Sequence, residues 1–263
     1  MEINFQTLQT EIIDKVLHVK LNRPEVRNAM NSEMIEEITR VFRKISGFGD
    51  IRALVIRGNG KAFCAGADLN YMQSVAKLSY EENLADSHKL AACFQAVYDC
   101  ELPVIAYVHG SAMGGAIGLI AACDIIIAES ETRFSFSELK LGLVPATIAP
   151  FVISRCGAVK SIETMLSARI FYAPEAEKMG LVSHSVPEKE MEKWLSEYLV
   201  SIKSGAPLAQ KICKQMLRKL ANETPSADIS VYTSKMIAGI RAADEGQEGM
   251  NAFFEKRKPK WSE

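Results

Sequence analysis

Two short turns in this chain have the residue types that can hold a developing negative charge on backbone amides. Gly114 and Gly115 follow the strand-like run Val104–Val108 and open an apolar, helix-like run from Ala116 to Cys123. The first amide hydrogens of a helix have no intrahelical partner and carry the positive end of its dipole, so a turn of this kind favours an anion. Without side chains at the two glycines, a ligand can approach the backbone closely. A glycine pair after a strand equally serves close helix–strand packing, and the pair alone does not decide between these roles. The second turn, Lys61–Leu69, follows a buried strand-like run at Ala53–Ile56 and contains Ala65, Gly66 and Ala67. Its small residues leave amides open, and Asp68 is placed to cap a helix beginning at Leu69. If the fold brings the amides of Ala67 and Gly115 together, they form a two-donor hole for an oxygen on which charge accumulates. Losing one such donor typically costs about 10² to 10³ in rate. Read apart, they are two unrelated tight turns.

The elements that must position these turns alternate through the first two-thirds of the chain. Val16–Leu21 reads as a strand, and Asn31 or Ser32 caps a helix whose apolar face is Met34, Ile35, Ile38, Val41, Phe42 and Ile45. A longer helical stretch through Leu90, Phe94 and Val97 stops before Pro103, where the next strand starts. After the Gly114 turn and its helix, Ile125–Ala128 and Arg133–Phe136 read as two short strands. The pattern is therefore strand-strand-helix rather than strict strand-helix alternation, which disfavours a simple doubly wound sheet. From Pro187 onward strand signals nearly vanish. Met191–Ile202, Pro207–Leu220, Ser226–Arg241 and Asp244–Lys256 read as helices of a C-terminal appendage, with Pro207 and Pro225 suited to first turns.

Composition narrows the class. The chain has 263 residues, 48% hydrophobic and 24% charged, enough to bury the core of one large domain or of a domain with an appendage. A net charge of -1 supplies no field to attract nucleic acid or an anionic membrane, and the run Lys256-Arg257-Lys258 reads as a solvated helix end. Six cysteines lack a CxxC spacing and read as reduced, mostly buried thiols, with no metal site and no disulfide expected. Neither a charged-then-apolar leader nor an apolar run of about 18 residues is seen, so a cytoplasmic protein without signal peptide or membrane span is expected. His109 reads as a structural residue at a strand end. Ser111, Ser135 and Ser137 lack the Gly-x-Ser-x-Gly elbow, and no dinucleotide fingerprint or phosphate-binding loop of the Walker type is present.

Taken together, several landmarks resemble the enoyl-CoA hydratase/isomerase superfamily, also called the crotonase family. They are Leu21-Asn22-Arg23-Pro24 with Asn28-Ala29, the Phe63–Leu69 turn, Val108-His109-Gly110 leading into Gly114-Gly115, Ala122-Cys123-Asp124, and the terminal run from Glu248 to Trp261. The likeness runs essentially end to end. It implies an α/β crotonase-like superhelix of repeated strand-strand-helix units with an α-helical C-terminal region. Residues 1–200 are expected as the core and 201–263 as a helical trimerisation region, giving a homotrimer or hexamer. It also implies an acyl-CoA substrate, with coenzyme A as part of that substrate and no separate cofactor, whose thioester oxygen sits between the amides of Ala67 and Gly115. Val26 and Arg27 are expected near the nucleotide, with Ala65, Gly66, Asp68 and Leu69 around the pantetheine and adenine. Lys256 is expected to reach a neighbouring subunit's ligand and Phe253 to line that neighbour's acyl pocket.

The family's hydratases commonly carry two glutamates. The later one falls here on Glu138, and the earlier one falls on Gly118, with no acid anywhere from Ala116 to Cys123. A glutamate between a strand and a glycine turn is in itself commonly a solvated loop residue or a cap. Within the resemblance, Glu138 becomes the catalytic group, and its apolar neighbours Phe136, Leu139 and Leu141 predict a pKa raised by desolvation. A single carboxylate can serve both ends of a syn addition of water to a 2-enoyl thioester, with the Ala146 amide expected near the water. The bare Gly118 suggests room for a bulkier or polar acyl group. Gly142–Val152, together with Gly118, resembles bacterial hydratases of leucine and acyclic-terpene breakdown that act on methylglutaconyl-CoA or its isohexenyl relative. A 3,2-trans-enoyl-CoA isomerase using the same glutamate is the alternative. A non-catalytic crotonase-fold protein used for RNA binding or assembly is a third possibility, disfavoured by the near-neutral charge.

Overall fold

The computed structural model describes residues 5–262, the side chain of Ser46 excepted. Leu8–Ile13 (β1) and Val16–Leu21 (β2) form an antiparallel hairpin whose two turn residues, Asp14 and Lys15, have φ of 49° and 61°. Positive φ at both positions gives the turn a twist that matches the flanking strands. Seven strands follow: β3 (Ala53–Gly58), β4 (Val104–Val108), β5 (Ser111–Met113), β6 (Ile125–Glu129), β7 (Arg133–Ser135), β8 (Phe171–Tyr172) and β9 (His184–Val186). One sheet has the order β1-β2-β3-β4-β6-β9, parallel at every pairing from β2 onward, and a smaller sheet has the order β5-β7-β8. Leu54, Val55, Ile56, Val104, Ile105 and Ala106 are fully buried, as expected of parallel strands covered on both faces.

The helices are α1 (Ser32–Arg43), α2 (Leu69–Val75), α3 (Tyr80–Tyr98), α4 (Gly115–Ala121), α5 (Ala149–Ser167), α6 (Ala173–Lys178), α7 (Met191–Ser204), α8 (Pro207–Leu220), α9 (Ala227–Ala242) and α10 (Asp244–Phe254). Asn31 caps α1 by accepting from the Met34 amide, and α1 buries Met34, Ile35, Ile38, Val41 and Phe42 as the periodicity predicts. Ser79 and Glu82 form a capping box on α3. The successions β4-β5-α4 and β6-β7-α5 are strand-strand-helix units, the repeat expected from the sequence. Six elements fall outside those predicted individually from the sequence. β1, β5, β8 and β9 are short or half-exposed, α6 has only six residues, and α5 is interrupted in sequence by Pro150 and by Gly157, which sits at φ 69° inside it.

The chain divides into two compact units. The first runs to Cys100 and resumes over Val104–Ser196; the second comprises Glu101–Pro103 and the chain from Glu197. Within the second, Glu245 accepts from the Leu208 and Ala209 amides and so caps α8, while Lys214 donates to Leu102 O at 2.7 Å. Arg257 holds Glu248 through two hydrogen bonds of 2.7 and 3.0 Å. Cys64, Cys93, Cys100 and Cys123 are buried free thiols, whereas Cys213 is exposed. No described helix is long and apolar enough to cross a membrane.

Candidate active site

Because β3 and β4 are parallel neighbours, the loops that follow them leave the sheet at the same end. Their backbones stay paired beyond the strands. Phe63 N donates to His109 O at 2.9 Å, Cys64 N to Ser111 O at 3.0 Å, and Met113 N to Cys64 O at 3.2 Å. Gly66 then turns the first loop at φ 96°, and a methyl group built on it would lie 3.0 Å from Met113 O. Only glycine takes that conformation at that approach without strain. On the other side, Met30 N donates to Gly66 O at 2.7 Å and Asp68 N to Met30 O at 2.9 Å. Those bonds use the groups flanking Ala67, so the Ala67 amide itself faces away from Met30. It has no protein acceptor among the described residues.

Gly115 is the first residue of α4, so its amide has no acceptor within the helix. The preceding Gly114, at φ 51°, instead donates to Ser135 O at 2.9 Å. A Cβ on Gly115 would lie 4.0 Å from Met30 Sδ, so the residue bridged to Ala67 also reaches Gly115. The two open amides thus sit on facing loops, one residue past Gly66 and two past Met113.

Glu138 lies in a short 3-10 turn, Ser137–Leu141, whose carbonyls are taken by the amide of Gly142 at φ 72°. Its carboxyl borders the glycine turn: a Cβ on Gly114 would stand 3.0 Å from Oε1. The other oxygen, Oε2, is buried without a hydrogen-bond partner, and no cation pairs with the carboxylate among the described residues. Burial pushes the Glu138 pKa above the ordinary glutamate value, opposed only by a hydrogen bond from its own amide. A desolvated, unpaired carboxyl beside two open amides can move a proton next to an oxyanion.

The space expected at Gly118 is filled. A Cβ there would lie 2.1 Å from Ile148 Cγ2, 2.7 Å from Ile148 Cβ and 3.4 Å from Phe94 Cε2. Gly118 therefore leaves no room for a larger acyl group; its missing side chain is replaced in space by Ile148, which is buried at the start of α5. Arg155 pins that helix by donating to Leu181 O at 3.0 Å and Cys123 O at 2.9 Å. The Ala146 amide is also not open, because it donates to Val144 O at 2.8 Å. Ala146 instead borders an apolar cleft of about 300 Å³ with Leu139, Val144, Pro145, Ile162 and Leu166.

Asp68 departs from expectation in the same way. It is 5% exposed, and its carboxylate is used up by Arg23, at 2.9 Å, and by the amides of Asn70 and Tyr71, at 2.8 and 3.2 Å. It caps α2 and has no surface to offer a ligand. Val26 and Arg27 are exposed on the turn after Pro24, next to the Ala65 amide that donates to Arg27 O at 2.9 Å; Leu69 is exposed at the start of α2. Phe253 and Lys256 belong to the second unit, the former exposed on α10 and the latter at φ 53° just past it. His109 donates from Nε2 to Gly60 O at 2.9 Å, which fits a structural role. Among the described residues no cluster of His, Cys, Asp and Glu could hold a metal ion. Sequence reasoning missed Ile148 and gave Arg23 no role of its own beyond its place in the Leu21-Asn22-Arg23-Pro24 landmark, the signal that marks it.

Comparison with known proteins gives a consistent result. The family model described as enoyl-CoA hydratase/isomerase matches residues 11–263. A Dictyostelium discoideum protein named as a probable mitochondrial enoyl-CoA hydratase is 34% identical over 260 residues, 98% of this chain and 91% of its own length. The crystal structure of an enoyl-CoA hydratase from Shewanella pealeana superposes with a TM-score of 0.94 at 35% identity, covering 98% of this chain and 96% of that one. The structure of Pseudomonas aeruginosa AtuE gives 0.92 at 33% identity, covering 98% and 100%.

Proposed function

This chain belongs to the enoyl-CoA hydratase/isomerase family, and from that premise we propose that it hydrates a 2-enoyl-CoA thioester with Glu138 as its sole acid–base group. The observation that carries the proposal is the unpartnered, desolvated Glu138 carboxyl against the Gly114–Gly115 turn, across from the Ala67 loop. In this scheme the amides of Ala67 and Gly115 donate to the thioester oxygen. Glu138 as carboxylate takes a proton from water while the water oxygen bonds to Cβ and the π electrons move onto the thioester oxygen. The resulting enolate then collapses as Glu138, now a carboxylic acid, returns the proton to Cα. Water is added, nothing is oxidised, and Glu138 ends as it began. General acid–base help of this type contributes about 10² to 10⁴, and each oxyanion donor about 10² to 10³. With the Ala146 amide engaged, the water is held by Glu138 itself, whose Oε2 is an unused acceptor.

An isomerase is the second reading, favoured by one observation: the space at Gly118 is taken by Ile148 and Phe94, so no second acid stands there to hold water. One carboxylate suffices to carry a proton between Cα and Cγ. Purified protein that consumes 2-enoyl-CoA absorbance faster than it makes that absorbance from 3-enoyl-CoA supports hydratase; the reverse order supports isomerase. A branched or carboxylated acyl group of the methylglutaconyl type rests on the resemblance of the 142–152 segment, since Gly118 supplies no extra volume. A panel of branched dicarboxylic enoyl-CoA esters tests it. The remaining ligand contacts proposed are Val26 and Arg27 at the nucleotide and Ala65, Gly66 and Leu69 along the pantetheine. Phe253 and Lys256 are proposed to act on a neighbouring copy in a homotrimer or hexamer. Val159, Ile162 and Leu166, exposed along α5, give such an assembly an apolar surface to cover. Sedimentation measures that state directly.

A further inference from the structure

We propose that Arg23 is a positioning residue for the Ala67 amide, acting through the carboxylate of Asp68. This rests on the proposed role of Ala67 as an oxyanion donor and adds a residue that controls it.

Arg23 and Asp68 form an ion pair of 2.9 Å with side chains only 19% and 7% exposed. The guanidinium uses two prongs: Nη2 donates to Asp68 Oδ2, and Nη1 donates to Ala29 O at 2.6 Å. A planar fork that spans two acceptors fixes direction as well as distance, which a point charge does not. The second oxygen of Asp68 takes the amides of Asn70 and Tyr71, so the residue is held on both sides. Burial alone would push this carboxyl up; the amides of Tyr71 and Asn70 and the Arg23 guanidinium outweigh it and hold it below the usual aspartate range.

Arg23 is itself braced. Asn28 Oδ1 accepts from the Arg23 amide at 2.9 Å, and Asn28 Nδ2 donates to Asn59 O and Ala62 O at 2.8 and 2.9 Å. The Arg23–Met30 segment is thereby attached to the start of the Lys61–Leu69 loop through Asn28 and to its end through Asp68. Ala67 lies between Gly66, at φ 96°, and Asp68, whose side chain Arg23 holds. Without the Arg23 contact, the backbone bonds of Met30 to Gly66 and Asp68 are left to orient the Ala67 amide. An amide tilted away from the oxygen weakens a donor whose value depends on being fixed beforehand.

The test compares the parent with Arg23→Met, Arg23→Lys and the double variant Arg23→Met/Asp68→Asn. Two readouts are used: steady-state hydration of a short 2-enoyl-CoA, and the red shift in absorbance of a bound aryl-conjugated enoyl-CoA, which grows as its carbonyl is polarised. Arg23→Met is expected to lower kcat about 10- to 100-fold with KM within about threefold, and to lose most of the shift. Arg23→Lys, which can still pair with Asp68, is expected to recover part of both. In the double variant no unpaired charge is buried, and Asn can still cap α2. Its unfolding temperature is therefore expected to return toward the parent while kcat and the shift stay low. A folded Arg23→Met with parental kcat and shift overturns the proposal, as does recovery of both in the double variant, since either outcome reduces the pair to fold stability. A parent that neither turns over nor polarises the probe fails at the assigned function, a result distinct from these, and takes the positioning role with it.

Discussion

Placing an acid at position 118 tests whether Ile148 occupies the space that a second carboxylate would need. Gly118 lies on α4 one turn beyond Gly115, and a Cβ there would meet Ile148 Cγ2 at 2.1 Å and Ile148 Cβ at 2.7 Å. Favourable carbon contacts begin at about 3.5 Å, so Ile148 Cγ2 must retreat by about 1.4 Å, and its Cβ cannot give way by changing rotamer alone. Ile148 is 1% exposed, which leaves it no solvent to move into, and Phe94 stands 3.4 Å away on the other side. Helix propensity by itself favours Gly118→Ala by about 1 kcal/mol. Overpacking of a buried site costs about 1–3 kcal/mol, and a contact this close belongs at or above the top of that range, so the clash reverses the sign. Gly118→Glu adds an unpaired carboxylate in apolar surroundings and is expected to be worse still, with no gain in hydration. Ile148→Ala removes the clashing atoms. Alone it is expected to cost about 2–5 kcal/mol, yet combined with Gly118→Glu it should cost less than the sum by at least about 1 kcal/mol. Unfolding midpoints of the four proteins, measured as a double-mutant cycle beside enoyl-CoA hydration rates, check this. An additive cycle, or a Gly118→Glu single variant as stable as the parent and faster, refutes the reasoning.

Three further substitutions test the site geometry. Glu138→Gln should lower kcat by about 10² to 10⁴ and remove the acidic limb of the kcat/KM profile, which in the parent is expected above the ordinary glutamate value because burial raises the group. The same raised pKa means that folding favours the protonated form, with that contribution lost as pH rises through the folded value. Glu138→Gln should therefore gain thermal stability relative to the parent at neutral pH and lose that advantage in acid near and below 4.5, read by thermal melts at both pH values. Gly114→Ala forces a side chain onto a φ of 51° and to 3.0 Å from Glu138 Oε1, so both the unfolding temperature and kcat should fall, by about 1–3 kcal/mol in stability. Ala67→Pro deletes one donor hydrogen and should reduce kcat by about 10² to 10³, while substrate KM changes far less.

Much of this was legible in the chain because local rules and tertiary packing agree there. Asn31 caps α1 where a cap residue precedes the apolar stripe, and β2, β4 and α8 fall on the runs that periodicity marks. The donor turns were legible for a like reason, since glycine is needed where Gly66 approaches the Met113 backbone and where Gly114 takes a φ of 51° beside Glu138. What stayed hidden depends on distance across the fold. Ile148 and Gly118 are 30 positions apart and become alternatives for one volume only after α5 is laid on α4. The loss of the Ala146 amide to Val144 is a two-residue turn that no composition signal announces. The family resemblance gave Asp68 a ligand role; its buried pairing with Arg23, 45 positions earlier, appears only in three dimensions. α5 escaped notice because Pro150 and Gly157 break its periodicity, although Pro is tolerated in a first turn and Gly157 permits a kink.

The two loops that carry the open amides descend from adjacent parallel strands and remain hydrogen-bonded to one another until just before the turns. The spacing of the two loops is consequently inherited from the strand spacing of a β-sheet, about 4.8 Å, and Arg23 is left only the direction of one amide to set. A scaffold of this sort separates what is fixed from what can drift. On the proposed mechanism, substitutions around residues 138, 146 and 148 change which acid is present, where it sits and how much of the acyl chain fits, while the cradle for the oxygen is left untouched. New reactions on enolisable thioesters can then be reached one side chain at a time, without rebuilding the part that is hardest to build.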